Sequence, residues 1–181
     1  MSPRRLMPSR FACLFGSEKS HPMPRIGGLM GTLCETTPRF GGNRMDAATF
    51  FIDSQLTQTS YPVVSLEVSE VRLVDDMRWP WLLVIPRVPH AVELIDVSPE
   101  IRSQIWLEID HVSRVLRDQL SPDKLNVAAL GNQVKQLHIH VIGRYRDDPA
   151  WPNPVWGVGE AEPYGAEALN TRLSALAQAL L

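Results

Sequence analysis

Apolar stretches long enough to enter a bilayer are missing from this 181-residue chain. The longest uninterrupted aliphatic run, Leu82 to Ile85, falls far short of the roughly 20 residues that a spanning helix requires. Cysteine is nearly missing as well. Cys13 and Cys34 are the only two, and they form no C-x-x-C pattern. That argues against a zinc ribbon or a disulfide framework and fits a reducing, cytoplasmic compartment. There is no excess of positive charge either: the formal net charge is −2 and the pI is near 6.2. A broad surface for extended nucleic acid is therefore not expected, though a local phosphate pocket is compatible with that balance. No internal repeat is visible. What is present, 44% hydrophobic residues, suffices for the core of one ordinary domain.

The first 45 residues differ in kind from the remainder. They hold five of the six methionines, both cysteines, and seven basic against two acidic residues, a charge of +5 that leaves −7 for residues 46–181. Pro3, Pro8, Pro22, Pro24 and Pro38, with paired glycines at 27–28 and 41–42, interrupt any helical or strand period. An Arg-rich, acid-poor start resembles a transit peptide, and Arg4-Arg5 a twin-arginine signal, but Pro8, Ser9 and Arg10 break the apolar region that such a signal needs. The expectation is a disordered extension over 1–45, or a misassigned start with translation beginning at Met45, followed by one domain over 46–181.

Beyond Tyr61 the sequence becomes periodic. Val64, Leu66 and Val68, then Val71 and Leu73, alternate as strands do, with a slip near Ser69-Glu70 that reads as a turn or a bulge. The turn "DDMRWP" separates Val71–Asp75 from the apolar run Trp81–Ile85, which predicts a hairpin whose second strand is central. Ser98, Pro99 and Glu100 form a helix start, and Ile101, Ile105, Ile109, Val112, Leu116 and Leu120 make one continuous stripe before Ser121-Pro122 ends it. His111 falls off that stripe and reads as solvated. "KLNVAALGN" and "QLHIHVIGR" predict a second hairpin turning through Gly131 to Lys135. The aperiodic stretch after Arg144 reads as an ordered loop because Trp151 and Trp156 suit free solvent poorly. Leu169, Leu173, Leu176 and Leu180 mark a last helix. Hairpin links predict an α+β fold with an antiparallel sheet of about five strands and two main helices.

The residues with chemical potential lie in the second hairpin. On a strand, Gln136, His138 and His140 share a face while Leu137, Ile139 and Val141 point to the core. Successive members of the polar row stand roughly 6.6–6.8 Å apart at Cα, a spacing expected to keep the rings apart yet let both touch one phosphate-sized group. Three readings stay open for an H-x-H pair: two satisfied sheet histidines, a metal site, or nucleophilic catalysis at phosphorus. A metal needs a third ligand, for which His90, Asp147 and Asp148 are conceivable without any recommending spacing. Neutral imidazole near pH 7 can attack an activated phosphoryl group and form a phosphoramidate that water cleaves.

Residues 136–142, "QLHIHVI", resemble the histidine triad (HIT) signature, in which three histidines alternate with apolar residues, with glutamine in the first place. The strand "WLLVIPR", the helix of residues 98–120, the Asn-containing strand and the Gly turn stand in the order that family shows. The resemblance runs from about residue 46 to the C-terminus and includes a bacterial branch that carries glutamine at this position. It implies a HIT-like fold, a homodimer, and a metal-free nucleotide phosphohydrolase or nucleotidyl transferase that needs no cofactor. By position, His138 would be the nucleophile that takes up the nucleotidyl group, and His140 would contact the phosphate or the departing group. Gln136 would hydrogen-bond to fix ring and phosphate. Asn126, Asn132 and Gln133 would bind ribose and phosphate, and His90 falls one residue beyond the place of a pocket histidine. The small-molecule partner is a nucleotide, with no membrane involved. The alternative implied by Gln136, which cannot titrate, is a nucleotide-binding module that has lost catalysis.

Overall fold

Five antiparallel strands form one sheet in the order β1-β2-β3-β5-β4 in the computed structural model, which describes residues 50–181. The expectations for residues 1–45, together with residues 46–49, lie outside the described part. After the short helix α1 (Ser54–Gln58) come β1 (Ser60–Ser65), β2 (Ser69–Val74), β3 (Trp81–Pro86), helix α2 (Pro99–Leu120), β4 (Lys124–Ala128), β5 (Ile139–Arg144) and helix α3 (Ala166–Leu180). The slip near Ser69 is a turn: Leu66 to Val68 connect β1 to β2, and the Leu66 N–H donates to the Ser69 carbonyl at 2.8 Å. β3 is the middle strand, paired with β2 on one side and β5 on the other. Among the described residues, no helix is long and apolar enough to cross a membrane.

Helix α2 starts and stops where its sequence dictates. Ser98 caps it by accepting from the Ile101 N–H, and Pro99, whose missing N–H costs nothing in a first turn, opens it. At the other end Ser121 adopts φ 46°, and Pro122 then forbids another turn. Ile105, Ile109, Val112 and Leu116 are buried, and they meet Leu82 and Val84 of β3, Leu137 just ahead of β5, Ile139 and Val141 of β5, and Leu176 and Leu180 of α3. Two helices thus cover one face of the sheet. His111 is exposed, as expected of a residue off the stripe, yet its Nε2 lies 3.2 Å from the Leu180 carbonyl and so touches the end of α3.

The opposite face of the sheet is covered more thinly. Leu83 and Ile85 of β3 bury against Leu56 of α1, with Phe50 and Ile52 packed alongside. Further along, Trp79 and Ile142 bury against Ala150 and Val155 of the long stretch that follows β5. That stretch is ordered loop, as its tryptophans suggested. Between α1 and this loop lie His138, just ahead of β5, and His140 of β5.

Candidate active site

The hairpin turn is longer than the sequence suggested. Ladder pairing of β5 begins at Ile139 opposite Val84 and at His140 opposite Ala128, so residues 129–138 form the connection and His138 stands just ahead of the ladder. Alternation nevertheless continues through it. Leu137 and Ile139 enter the core, while His138 and His140 face a cavity of about 590 Å³ on the other side. Its wall comprises Gln55, Leu56 and Thr59 from α1 and its end, Arg78 and Trp81 beside β3, Leu130 to Val134 of the hairpin turn apart from Gly131, and Val155 to Gly159 of the loop, with Ala161.

The two rings are 5% and 7% exposed, so they sit at the floor of a recess rather than on an open shelf. They also touch, contrary to the expectation from Cα spacing: the centroids are 4.9 Å apart and the planes are inclined at 71°, an edge-to-face contact. Trp81 and Trp156 lie 5.5 and 5.4 Å from the His140 ring.

Hydrogen bonds fix the tautomer of each ring. The indole of Trp81 can only donate, and its Nε1 is 2.9 Å from His140 Nδ1, so Nδ1 is the acceptor and the proton lies on Nε2, which faces the Leu130 carbonyl at 3.3 Å. Burial, reinforced by the neighbouring His138 and opposed by that carbonyl, pushes the His140 pKa down to about 4. His140 is therefore a neutral donor at pH 7. For His138 the pattern is reversed. Its Nδ1 is 2.7 Å from the Gln136 backbone carbonyl, an acceptor, which places the proton on Nδ1 and leaves the Nε2 lone pair free.

One cation lines the cavity. Arg78 donates Nε–H and Nη2–H to the two carboxylate oxygens of Asp76 at 2.8 and 2.6 Å, donates Nη1–H to the Val158 carbonyl at 2.7 Å, and lies over Trp79 at 4.3 Å from its centroid. Hydrogen bonding to Asp76 raises its pKa further above the usual arginine value. Among the described lining residues there is no carboxylate, cysteine or tyrosine. The recess thus combines an imidazole nitrogen that carries no proton, side-chain amides and a guanidinium already paired with Asp76.

Of the residues singled out from the sequence, His138, His140, Asn132 and Gln133 are brought together in this cavity. Gln136, His90 and Asn126 do not line it. Gln136 turns its amide to the chain ahead of α1: its Oε1 accepts from the Asp53 N–H at 2.8 Å and its Nε2 donates to the Phe51 carbonyl at 2.9 Å. His90 and Gln136 line a separate cavity of about 520 Å³ with Phe50, Phe51 and Lys135. Asn126 Oδ1 accepts from Arg144 Nη1–H at 2.9 Å, next to the Arg144–Asp148 ion pair at 2.7 Å, where both side chains are buried. With Asp148 engaged there and His90 elsewhere, neither stands beside His138 and His140. Among the described residues no three His, Cys, Asp or Glu side chains form a metal-ligand group.

Gly131 reads as a turn residue, and the backbone passes close there: a Cβ would stand 3.0 Å from the Val134 carbonyl and 4.0 Å from His138 Cε1. Trp81, Arg78, Gln55, Thr59 and Trp156 were not foreseen. Trp81 alone left a signal, since it is two residues from Leu83, the residue opposite His140, and hence on the same face.

Comparison with known proteins gives a consistent picture. A family model described as the HIT domain matches residues 58–147. A histidine triad protein from Bradyrhizobium japonicum is 41% identical with a TM-score of 0.71, the match covering 73% of this chain and 98% of that one. A histidine triad (HIT) protein from Sinorhizobium meliloti is 37% identical at a TM-score of 0.70, covering 72% and 96%. Another from Marinobacter aquaeolei is 35% identical at 0.71, also covering 72% and 96%. No curated protein matches the chain.

Proposed function

The chain belongs to the histidine triad (HIT) family, and from that membership we propose that its cavity binds a nucleotide and that His138 takes up the nucleotidyl group, making the protein a nucleotide phosphohydrolase or nucleotidyl transferase acting at an α-phosphate. One observation carries the reading. A backbone carbonyl holds the His138 proton on Nδ1, so the nitrogen left for the cavity is the one with a lone pair.

In the proposed reaction His138 Nε2 attacks phosphorus. An N–P bond forms, and the bond from phosphorus to the leaving group breaks with its electron pair going to that group. The ring becomes cationic, and the Gln136 carbonyl meets the charge through Nδ1–H. Arg78, the amides of Asn132 and Gln133, and His140 Nε2–H supply positive ends toward the phosphate oxygens. Water then attacks phosphorus, the N–P bond breaks, and a nucleoside monophosphate leaves while the water proton passes to solvent; another acceptor in place of water gives transfer. Since His140 is neutral and the lining has no carboxyl among the described residues, the leaving group takes its proton from solvent. Groups that depart as stable anions, as in a phosphoanhydride, are favoured.

The test is incubation with a dinucleoside polyphosphate and with a nucleoside phosphoramidate. Release of a nucleoside monophosphate is expected, with loss of at least about a thousandfold in His138→Ala, because nucleophile and covalent intermediate vanish together. Unchanged turnover in that variant removes the mechanism. A second reading, a nucleotide-binding module without catalysis, is favoured by the engagement of the Gln136 amide with backbone and by the neutral state of His140, which leave the first and third triad places without a charged acid. Calorimetry distinguishes the two: a pure binder holds the monophosphate and turns over neither substrate.

A further inference from the structure

The segment that carries the nucleophile lacks the pairing that holds the rest of its strand. Ladder partners on both sides end at Ile139 and His140, and within residues 136–138 the Leu137 N–H finds the Ala91 carbonyl at 2.9 Å. The Gln136 carbonyl is committed to His138. What then joins this segment to the chain ahead of α1 is the side-chain amide of Gln136, which accepts from the Asp53 N–H and donates to the Phe51 carbonyl. Those two groups flank Ile52 as one edge of an extended strand would present them, and the amide pairs with them as a peptide group of a neighbouring strand does. Asp53 in turn caps α1, its carboxylate accepting from the Gln55 N–H at 2.8 Å, and α1 brings Gln55 and Leu56 to the cavity wall.

We infer that Gln136 is a positioning residue: its amide is a surrogate strand pairing that seats the Phe51–Asp53 backbone, and through it the α1 wall of the nucleotide cavity, beside the nucleophile. The inference rests on the nucleotide reading for its kinetic consequence. Its structural part stands independently. The first triad place here is then an anchor for the wall rather than a proton carrier or a phosphate ligand, and a side chain that is donor and acceptor at once at fixed spacing is what the position requires. A carboxylate of the same length keeps the acceptor for Asp53 N–H and loses the donor to the Phe51 carbonyl. Its protonated form regains the donor.

The experiment compares the full chain with Gln136→Ala and Gln136→Glu by hydrogen–deuterium exchange over residues 51–58, by steady-state turnover of a dinucleoside polyphosphate, and by binding of AMP. Two neutral hydrogen bonds of ordinary strength correspond to about tenfold in an equilibrium. Gln136→Ala should therefore exchange about tenfold faster at 51–58 and raise KM and the AMP dissociation constant by about the same factor, with kcat within about threefold, because the carbonyl that orients His138 is retained. In Gln136→Glu the KM, taken relative to the native chain at each pH, should start to move back toward the native value as pH falls from 7 to 4.5 and the carboxyl, which ordinarily titrates near about 4.3, begins to gain its proton. Unaltered exchange in Gln136→Ala, a fall in kcat at constant KM, or a Gln136→Glu ratio that ignores pH would each overturn the inference. Should the native chain turn over no nucleotide, the catalytic reading fails by itself, and exchange together with AMP binding still decides the anchor.

Discussion

Acidification from pH 7 to pH 4 should cost the fold about 3 kcal/mol through His140 alone. The ring is buried beside His138 and between Trp81 and Trp156, and its pKa is pushed from 6.5 down to about 4. A gap of roughly two and a half units, at about 1.4 kcal/mol per unit, gives about 3.5 kcal/mol in full, of which about 3 kcal/mol is lost by pH 4, where the folded ring is half protonated. Its sign follows from proton counting. Between those two values the unfolded chain holds a proton on this residue and the folded chain does not, so stability rises with pH across the window. The contribution is fully present above pH 6.5 and is lost as pH falls through about 4, with a slope approaching about 1.4 kcal/mol per pH unit in between. Urea denaturation of the native chain and of His140→Gln at pH 7, 6, 5 and 4.5 measures it, since glutamine keeps a polar side chain in the recess but cannot titrate. The native chain should lose stability faster than the variant as pH drops. Parallel curves for the two proteins would refute the reasoning, because they would mean that His140 binds its proton equally well in both states.

Further expectations concern a neighbour of His140 and the buried ion pair behind β5. Trp81→Phe removes the donor that pins the His140 tautomer and leaves a buried acceptor unsatisfied, a cost of about 1–2 kcal/mol; nitrogen NMR should show mixed His140 tautomers and kcat should fall about tenfold. Asp148→Ala strands Arg144 in the interior without its carboxylate, which should destabilise the chain by about 3–5 kcal/mol in urea. The native ion pair adds an acid limb of its own. Burial works against the Asp148 charge, but the hydrogen bonds from Arg144 and from the Ala150 N–H prevail and hold the pKa at about 2, below the ordinary 3.8. This stability is present above pH 3.8 and is lost as pH falls through about 2, a window separate from that of His140.

Much of the architecture was legible because it is written in periods. The stripe from Ile101 to Leu120 could only be a helix with one buried face, and its ends, Ser98-Pro99 and Ser121-Pro122, are local chemistry that no distant contact needs to enforce. The separation of Leu137, Ile139 and Val141 from His138 and His140 follows from a pleat that repeats every two residues. Less was legible where partners are remote. Asn126 reads as a binding residue in isolation, but a buried arginine two strand positions from its cross-strand neighbour claims its oxygen. Gln136 reads as one of three residues facing a ligand, but its amide meets a backbone more than eighty residues away.

Sequence alone therefore determined the α+β frame, the helix limits, the face on which the two histidines lie and the family to which they point. These are properties of spacing, which neighbouring residues impose on one another. Only the tertiary structure decided that the histidine face is a recess, that the rings touch, which nitrogen of each ring carries the proton, and that the glutamine holds a wall. Those outcomes depend on which groups arrive from β3, α1 and the loop after β5. Hydrogen-bond donors and acceptors acquire their roles when long-range folding supplies the partner, and no local pattern encodes that.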